Sequence, residues 1–297
     1  MTDPALVSKI LVPVEFSERC RGAVRYAEAL ACRFHAGIVL LHVVPPPYAV
    51  YGGAGEAAAY SNIDDILAER VSAAQNQLHL FRRELTPDLP VRTELREGDP
   101  ARVIVEYAHA DNFNLIVMPT HGYGPFRRFL IGSVTAKVLH DVDTPVWTGP
   151  HLEQAPESKS FDLQRVVCAI DLGEHSAAVL RWASSMASSS GADLTVVHAL
   201  PASAEGVGGM SFDPDWRADR AHDARGRIEQ LQKELGVPAA RIDIEVGEPA
   251  AALTRVAADA GAGLMVIGRS VAGGVLGRLR ANAYAIIRES PCPVVSV

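Results

Sequence analysis

The chain is one unit written twice. KILVPVEFSE (9–18) recurs as RVVCAIDLGE (165–174), and AGIVLLHVVP (36–45) as GADLTVVHALP (191–201). REGDPARVIVEYA (96–108) returns as EVGEPAAALTRVA (245–257), and NLIVMPTHG (114–122) as GLMVIGRSV (263–271). Glu15 to Asp171 and His42 to His198 are both spacings of 156 residues, whereas Gly98 to Gly247 is 149, so the first copy carries a longer middle segment. A period this long describes a duplicated domain rather than a solenoid, since each copy can bury its own core. Whatever fold one copy adopts, the other must share.

Within each copy, strand and helix signals alternate. IVLLHVV and NLIVM are short, β-branched and nearly continuous in apolar character, as strands covered on both faces are. Ser17 is placed to cap a helix with Ala23, Ala27, Leu30, Ala31 and Phe34 facing inward, and Gly37 suits its exit. Asp99 before Pro100 reads as a cap plus a first-turn proline, partly repeated by Glu248 and Pro249. The alternation specifies an α/β fold, a parallel doubly wound sheet with right-handed crossovers in each copy. The expected domains are 1–150 and 162–297, joined by a polar, proline-containing linker at 151–161. TPVWT (144–148) and CPVVSV (292–297) close the two units and could pair across an internal twofold, making the chain its own pseudo-dimer; a further homodimer stays open.

Composition narrows the function classes. With 48% hydrophobic and 21% charged residues the chain reads as globular. No run approaches the roughly 18 apolar residues of a membrane span, and MTDPALVSKI lacks the pattern of a signal peptide. A net charge of −7 argues against nucleic acid as the main partner. The four cysteines form no CxxC and no Cys/His pair at metal-ligand spacing, so no metal site is expected; Cys168, inside VVCAI, reads as core, and a reduced cytoplasmic setting fits.

In open parallel sheets, ligands sit beyond the carboxyl ends of the strands, where the strand order reverses. That rule nominates Pro13, Val14 and Glu15, then Val43, then the loop MPTHGYGPFRRFLIGS (118–133). In the loop, Gly122 permits positive φ, and Gly132 and Ser133 open a helix running toward Asp141. An anion is stabilised at such a start, Gly132 admits it without a Cβ in the way, and Ser133 can cap the helix or bond a phosphate oxygen. The opposite reading is a glycine-rich turn ahead of an ordinary capped helix.

Both copies resemble the universal stress protein family, over nearly the whole chain. VPVEFSE, LLHVV and VMPTHG carry the likeness, with a Gly-x2-Gly-x9-Gly-Ser/Thr run falling on Pro119, Gly122, Gly132 and Ser133. The resemblance implies two tandem domains of the adenine-nucleotide alpha-hydrolase-like class that hold ATP or a related adenine nucleotide, with or without magnesium. It sets Glu15 on the ribose side, Val43 at the adenine through its backbone, and the glycine loop on the phosphates; Met118 and Val134 are counted with the site, and His121, within the loop, could meet phosphate or ribose. Two departures stand in the first copy: Glu15 replaces an Asp, and Pro119 replaces a Gly, which removes one N–H and fixes φ. The second copy keeps Asp171 and Gly268, beside Ala169, Ile170 and Ala199, but has Val271, Ala281 and Asn282 where the first has Gly122, Gly132 and Ser133. Val271 resists positive φ, Ala281 crowds a phosphate, and Asn282 retains only a capping role. One strong site, in the first copy, and a weaker second one are therefore expected.

Arg127, Arg128, Arg278 and Arg280 read mainly as solvated or ion-paired, and His42 and His198 as structural. Catalytic signatures are missing: there is no GxxxxGK[ST], no GxSxG, no HExxH, and no HxGH or SGGxDS-type loop. Gly53-Ala54-Gly55 follows PPPYAVY rather than a strand, which argues against a dinucleotide fingerprint. Three readings stay open: a nucleotide-responsive stress protein acting on an unidentified regulatory partner, a scaffold with vestigial sites, and a slow ATPase.

Overall fold

Both copies fold as the alternation predicts. A computed structural model describes residues 6–46, 63–121, 131–149, 152, 162–200, 214–269 and 278–297; the side chains of 63, 64, 214–216 and 278–281 lie outside the description, as does nearly all of the expected linker. The chain divides into two compact units. Unit 1 is built on Met1–Thr148 with Leu152–Phe161, and unit 2 on Asp162–Val297 with Gly149–His151.

Unit 1 runs β1 (Lys9–Pro13), α1 (Glu18–Phe34), β2 (Gly37–Val44), α2 (Ile63–Glu84), β3 (Val91–Glu97), α3 (Pro100–Ala110), β4 (Leu115–Val117), α4 (Ser133–Asp141) and β5 (Val146–Thr148). Unit 2 repeats it as β6 (Arg165–Ala169), α5 (Ser176–Ser190), β7 (Asp193–Leu200), α6 (Pro214–Leu235), β8 (Arg241–Val246), α7 (Pro249–Ala260), β9 (Leu264–Ile267), α8 (Arg278–Glu289) and β10 (Val294–Ser296). The strand order is β3-β2-β1-β4-β5 in unit 1 and β8-β7-β6-β9-β10 in unit 2, every pair parallel. The order reverses beside β1 and beside β6, which is where a doubly wound sheet opens a crevice.

The central strands are buried on both faces. Ile10, Leu11, Val12, Leu40, Leu115, Ile116 and Val117 are all fully enclosed, each contributing on the order of 1.5–3 kcal/mol of apolar burial. The outer strands β3 and β8 instead carry exposed charges, with ion pairs Arg96–Glu94 at 2.7 Å and Arg241–Asp243 at 3.0 Å. Charges of this kind keep an open strand edge from pairing with another chain.

Most caps stand where the residue types indicate. Ser17 Oγ accepts the Cys20 N–H at 3.2 Å, Asp99 accepts that of Arg102 at 2.9 Å, and Glu248 accepts that of Ala251 at 2.9 Å. The exit of α1 differs from expectation. His35, at φ 55°, takes the left-handed position and returns its N–H to Ala31, while Gly37 is already the first residue of β2. Unit 2 has the usual glycine there, Gly191 at φ 70°. Phe34 is half-buried rather than enclosed.

Candidate functional site

The chain leaves β1 through a fixed turn. Val14 N–H extends the ladder to Leu41 O at 2.8 Å, and Phe16 then adopts φ 69°, a left-handed conformation that costs an L residue about 1–2 kcal/mol. Leu172 repeats it in unit 2 at φ 60°, after Ile170 N–H has bonded Val197 O at 3.0 Å. The turn sets the acidic side chain of each copy, Glu15 and Asp171, at the mouth of the crevice.

In unit 1 the expected residues meet around one cavity of about 280 Å³. The end of β1 contributes Pro13, Val14 and Glu15; β2 contributes Val43; the segment after β4 contributes Met118, Pro119 and His121; the start of α4 contributes Gly132, Ser133 and Val134. Gly122, Arg127 and Arg128 lie outside the described residues, as do Gly53, Ala54 and Gly55.

Three bonds fix the entrance, two of them tying it to the helix start. Met118 N–H continues β4 onto Trp147 O at 3.1 Å, Gly132 N–H donates to Thr120 O at 2.8 Å, and Thr135 Oγ1 donates to Pro119 O at 3.0 Å. Pro119 therefore costs the loop one donor, yet its carbonyl anchors the first turn of α4. Gly132 has φ −62°, so no left-handed strain asks for glycine. The reason is contact: a Cβ there would lie 3.3 Å from His121 Cα and 3.5 Å from Thr120 O. Gly132 is itself the helix N-cap and no side chain caps α4, so Ser133 is the first helical residue and not the cap. The hydroxyl of Ser133 is exposed at the cavity instead. With Ala136 N–H making the first intrahelical bond, to Gly132 O at 2.8 Å, the N–H groups of the preceding turn face this end of the crevice.

Five lining residues escaped the sequence reading: Leu41, His42, Pro100, Ile104 and Thr135. Pro100 and Ile104 have counterparts in Pro249 and Leu253, which line the crevice of unit 2. His42 is structural, as expected, and also part of the wall. Its Nδ1 donates to Val14 O at 2.7 Å, its ring stacks on Phe16 at 4.4 Å, and burial holds its pKa below the usual histidine value. It faces the cavity as a neutral imidazole at neutral pH. His121 is buried beside Thr120, whose Oγ1 lies 2.8 Å from its Nδ1.

Unit 2 encloses about 130 Å³ at the same place. Ala169, Ile170, Asp171, Ala199, Gly268 and Asn282 all line it, together with His175, Ser176 and an apolar wall that includes Val179 and Ile286. Asp171 Oδ1 accepts Gly173 N–H at 2.8 Å and Ser176 Oγ at 3.1 Å. Gly268 has a packing reason, because a Cβ on it would lie 3.1 Å from Val179 Cγ2.

The larger difference is in the backbone. Ile131 and Gly132 lie outside the helix ahead of α4, Gly132 being extended, whereas their counterparts Arg280 and Ala281 are already helical, α8 being formed from Arg278. Asn282 thus lies inside the helix and cannot cap it, contrary to expectation. Replacing glycine by alanine favours the helix by about 1 kcal/mol, which suits this earlier start. The amides corresponding to those of Ser133 and Val134 are then within the helical ladder rather than open to the crevice. Val271 and the side chain of Ala281 lie outside the described residues. Among the described residues no group of three or more His, Cys, Asp or Glu could hold a metal ion, and no helix is long and apolar enough to cross a membrane.

Comparison with known proteins bears on both units. Residues 7–148 and 163–297 each match the model of the universal stress protein family. A universal stress protein of Methanocaldococcus jannaschii is 30% identical over 141 residues, which cover 48% of this chain and 81% of that protein. The crystal structure of a universal stress protein from Archaeoglobus fulgidus shares the fold, with a TM-score of 0.68 at 22% identity over 99% of this chain and 98% of that one. A universal stress protein solved in complex with cAMP is 26% identical, with a TM-score of 0.33, over 46% of this chain and 98% of its own.

Proposed function

Because the chain belongs to the universal stress protein family, we propose that it is a stress-response protein holding ATP or a related adenine nucleotide in unit 1. The nucleotide acts there as a regulatory ligand that sets the chain's engagement with a protein partner. The observation carrying this is the unit 1 crevice itself: about 280 Å³, walled by β1, β2 and β4, with Glu15 at one end and the start of α4 at the other. Pockets that take small molecules begin near this size, and an apolar wall with a few convergent polar groups is their usual chemistry. Leu41, Val43, Ile104 and Met118 offer a flat base apolar contact, and Glu15 can accept sugar hydroxyls. The amides of the first turn of α4 stabilise phosphate by about 0.3–1 kcal/mol, more when partly buried. Unit 2 keeps the acidic residue and loses the open helix start, so the same ligand is held there weakly or not at all. Four unpaired thiols suit a reducing cytoplasm.

The test is calorimetric titration of the full chain with ATP and magnesium, beside native mass spectrometry. One nucleotide per chain is expected. Val134→Trp, which fills the unit 1 crevice, abolishes the heat, whereas Ala283→Trp at the matching place in unit 2 leaves it unchanged. A chain that stays empty and gives no heat sinks this reading and returns the function to an interaction scaffold.

A further inference from the structure

Glu15 is one methylene longer than its counterpart Asp171, and each copy holds its carboxylate by a different clasp. In unit 1, Ser17 Oγ donates to Glu15 Oε1 while accepting the backbone N–H of Cys20 at 3.2 Å. Ser17 is buried, so its one proton is committed to the carboxylate and a lone pair to the helix. The fold-back depends on Phe16 at φ 69°, whose ring is fixed by stacking on His42 at 4.4 Å and by an edge contact to Phe81 at 5.4 Å. Unit 2 makes the same turn with Leu172, but the residue matching Ser17 is Gly173, which has no hydroxyl. There the shorter Asp171 is held by Gly173 N–H at 2.8 Å and by Ser176 Oγ at 3.1 Å. Ser176 in turn matches Cys20, whose thiol points to Pro13 O at 3.8 Å. Burial, and then the Glu15 charge, pushes that thiol up to about 12. In each copy the length of the acid is matched to the donors that hold it.

We propose that Ser17 is the positioning residue that makes Glu15 a fixed acceptor for the sugar hydroxyls of a ribonucleotide, so that the unit 1 crevice selects ligands carrying those hydroxyls. This rests on the nucleotide reading of that crevice. An ionised carboxylate only accepts, so the ligand must bring donors, and paired ribose hydroxyls present two on one edge. A ligand without them leaves the carboxylate facing the crevice unsatisfied, which is the arrangement that discriminates most strongly. Without Ser17 the longer side chain regains its rotamers and the selection weakens.

The experiment measures the ratio of dissociation constants for ATP and 2′,3′-dideoxy-ATP, each with magnesium, by titration calorimetry on the full chain. The expected preference for ATP is about tenfold or more, the scale of hydrogen bonds to a charged group. Ser17→Gly installs the residue that unit 2 has at this turn and keeps an acceptable N-cap. It brings the ratio close to one through weaker ATP binding, with the dideoxy ligand unaffected. Ser17→Asp does the same, since it caps the helix but has no proton to give. Ser17→Thr restores the preference. A wild-type ratio near one overturns the proposal, as does a Ser17→Gly ratio equal to that of wild type, and either result leaves nucleotide binding intact. If the wild-type chain binds neither nucleotide, the reading of the crevice fails and this proposal falls with it. Melting temperatures of the same variants report the cap alone, and loss of the cap without change in the ratio makes Ser17 merely structural.

Discussion

Gly132 shows how one missing methyl group sets the shape of a site. Its neighbours at 3.3 and 3.5 Å are backbone atoms of His121 and Thr120, which cannot rotate away. Gly132→Val is therefore expected to destabilise the chain by about 1–3 kcal/mol, the scale of an overpacked contact. The same clash strains the backbone bond from Gly132 N–H to Thr120 O, so nucleotide heat is expected to be lost together with several degrees of melting temperature in calorimetric scans. Binding retained at wild-type strength would remove Gly132 from the site. The residue was legible as important from its place after a strand and before a helix. Its reason was not, because sequence pointed to a phosphate and the structure adds the loop's own backbone. Glu15 is the reverse case: its place at the crevice could be read from its position at the end of β1, but the Ser17 clasp requires a left-handed Phe16. Nothing about a phenylalanine announces positive φ.

At the scale of elements, the alternation of apolar runs and capped helices specified both sheets, because strands buried on two faces leave an unmistakable pattern. The carboxyl ends of β1, β2 and β4 then located the crevice. Pro100 and Ile104 joined its wall unannounced, since which turn of α3 reaches the crevice is decided by packing. Helix starts were the weak point. Asn282 has a good capping side chain, yet the Arg-Leu-Arg-Ala stretch before it propagates the helix past that signal. This makes a gain-of-function experiment possible. Ala281→Gly with Asn282→Ser copies the start of α4 into unit 2, at a cost of about 1 kcal/mol in helix propensity. The expected outcome is weak nucleotide heat that persists when unit 1 is blocked by Val134→Trp. An inert double variant would mean that the narrower apolar crevice, and not the helix start, excludes the ligand.

For the whole molecule, two windows of pH are expected to govern stability. Burial lowers the pKa of His42, so the unfolded chain binds its proton first as the medium acidifies. Its contribution is complete above the unfolded value of about 6.5 and is lost as pH falls through the folded one. Asp99 is lowered by the Arg102 N–H and then by Lys137, and Asp111 by Lys9, so their contributions persist to lower pH and fade below about 4. Denaturant titrations at about pH 7.5 and pH 5 should show the wild type weaker in acid, with His42→Gln flattening that upper window and leaving the lower one. Equal slopes in both proteins would mean that His42 does not supply the upper window.

The early start of α8 has a further consequence for how the chain breaks down. A ligand that loads only one of two copies steadies only that copy, by about 2.7 kcal/mol at a hundredfold excess over Kd. On the proposed loading of unit 1 alone, the nucleotide level would be written along the chain as a difference in resistance to proteolysis. Plentiful nucleotide would move cutting toward the second copy, and scarcity would leave the two copies to compete on their intrinsic stabilities. A chain loaded in one half would then have a lifetime, and a site of failure, that depend on what that half is holding.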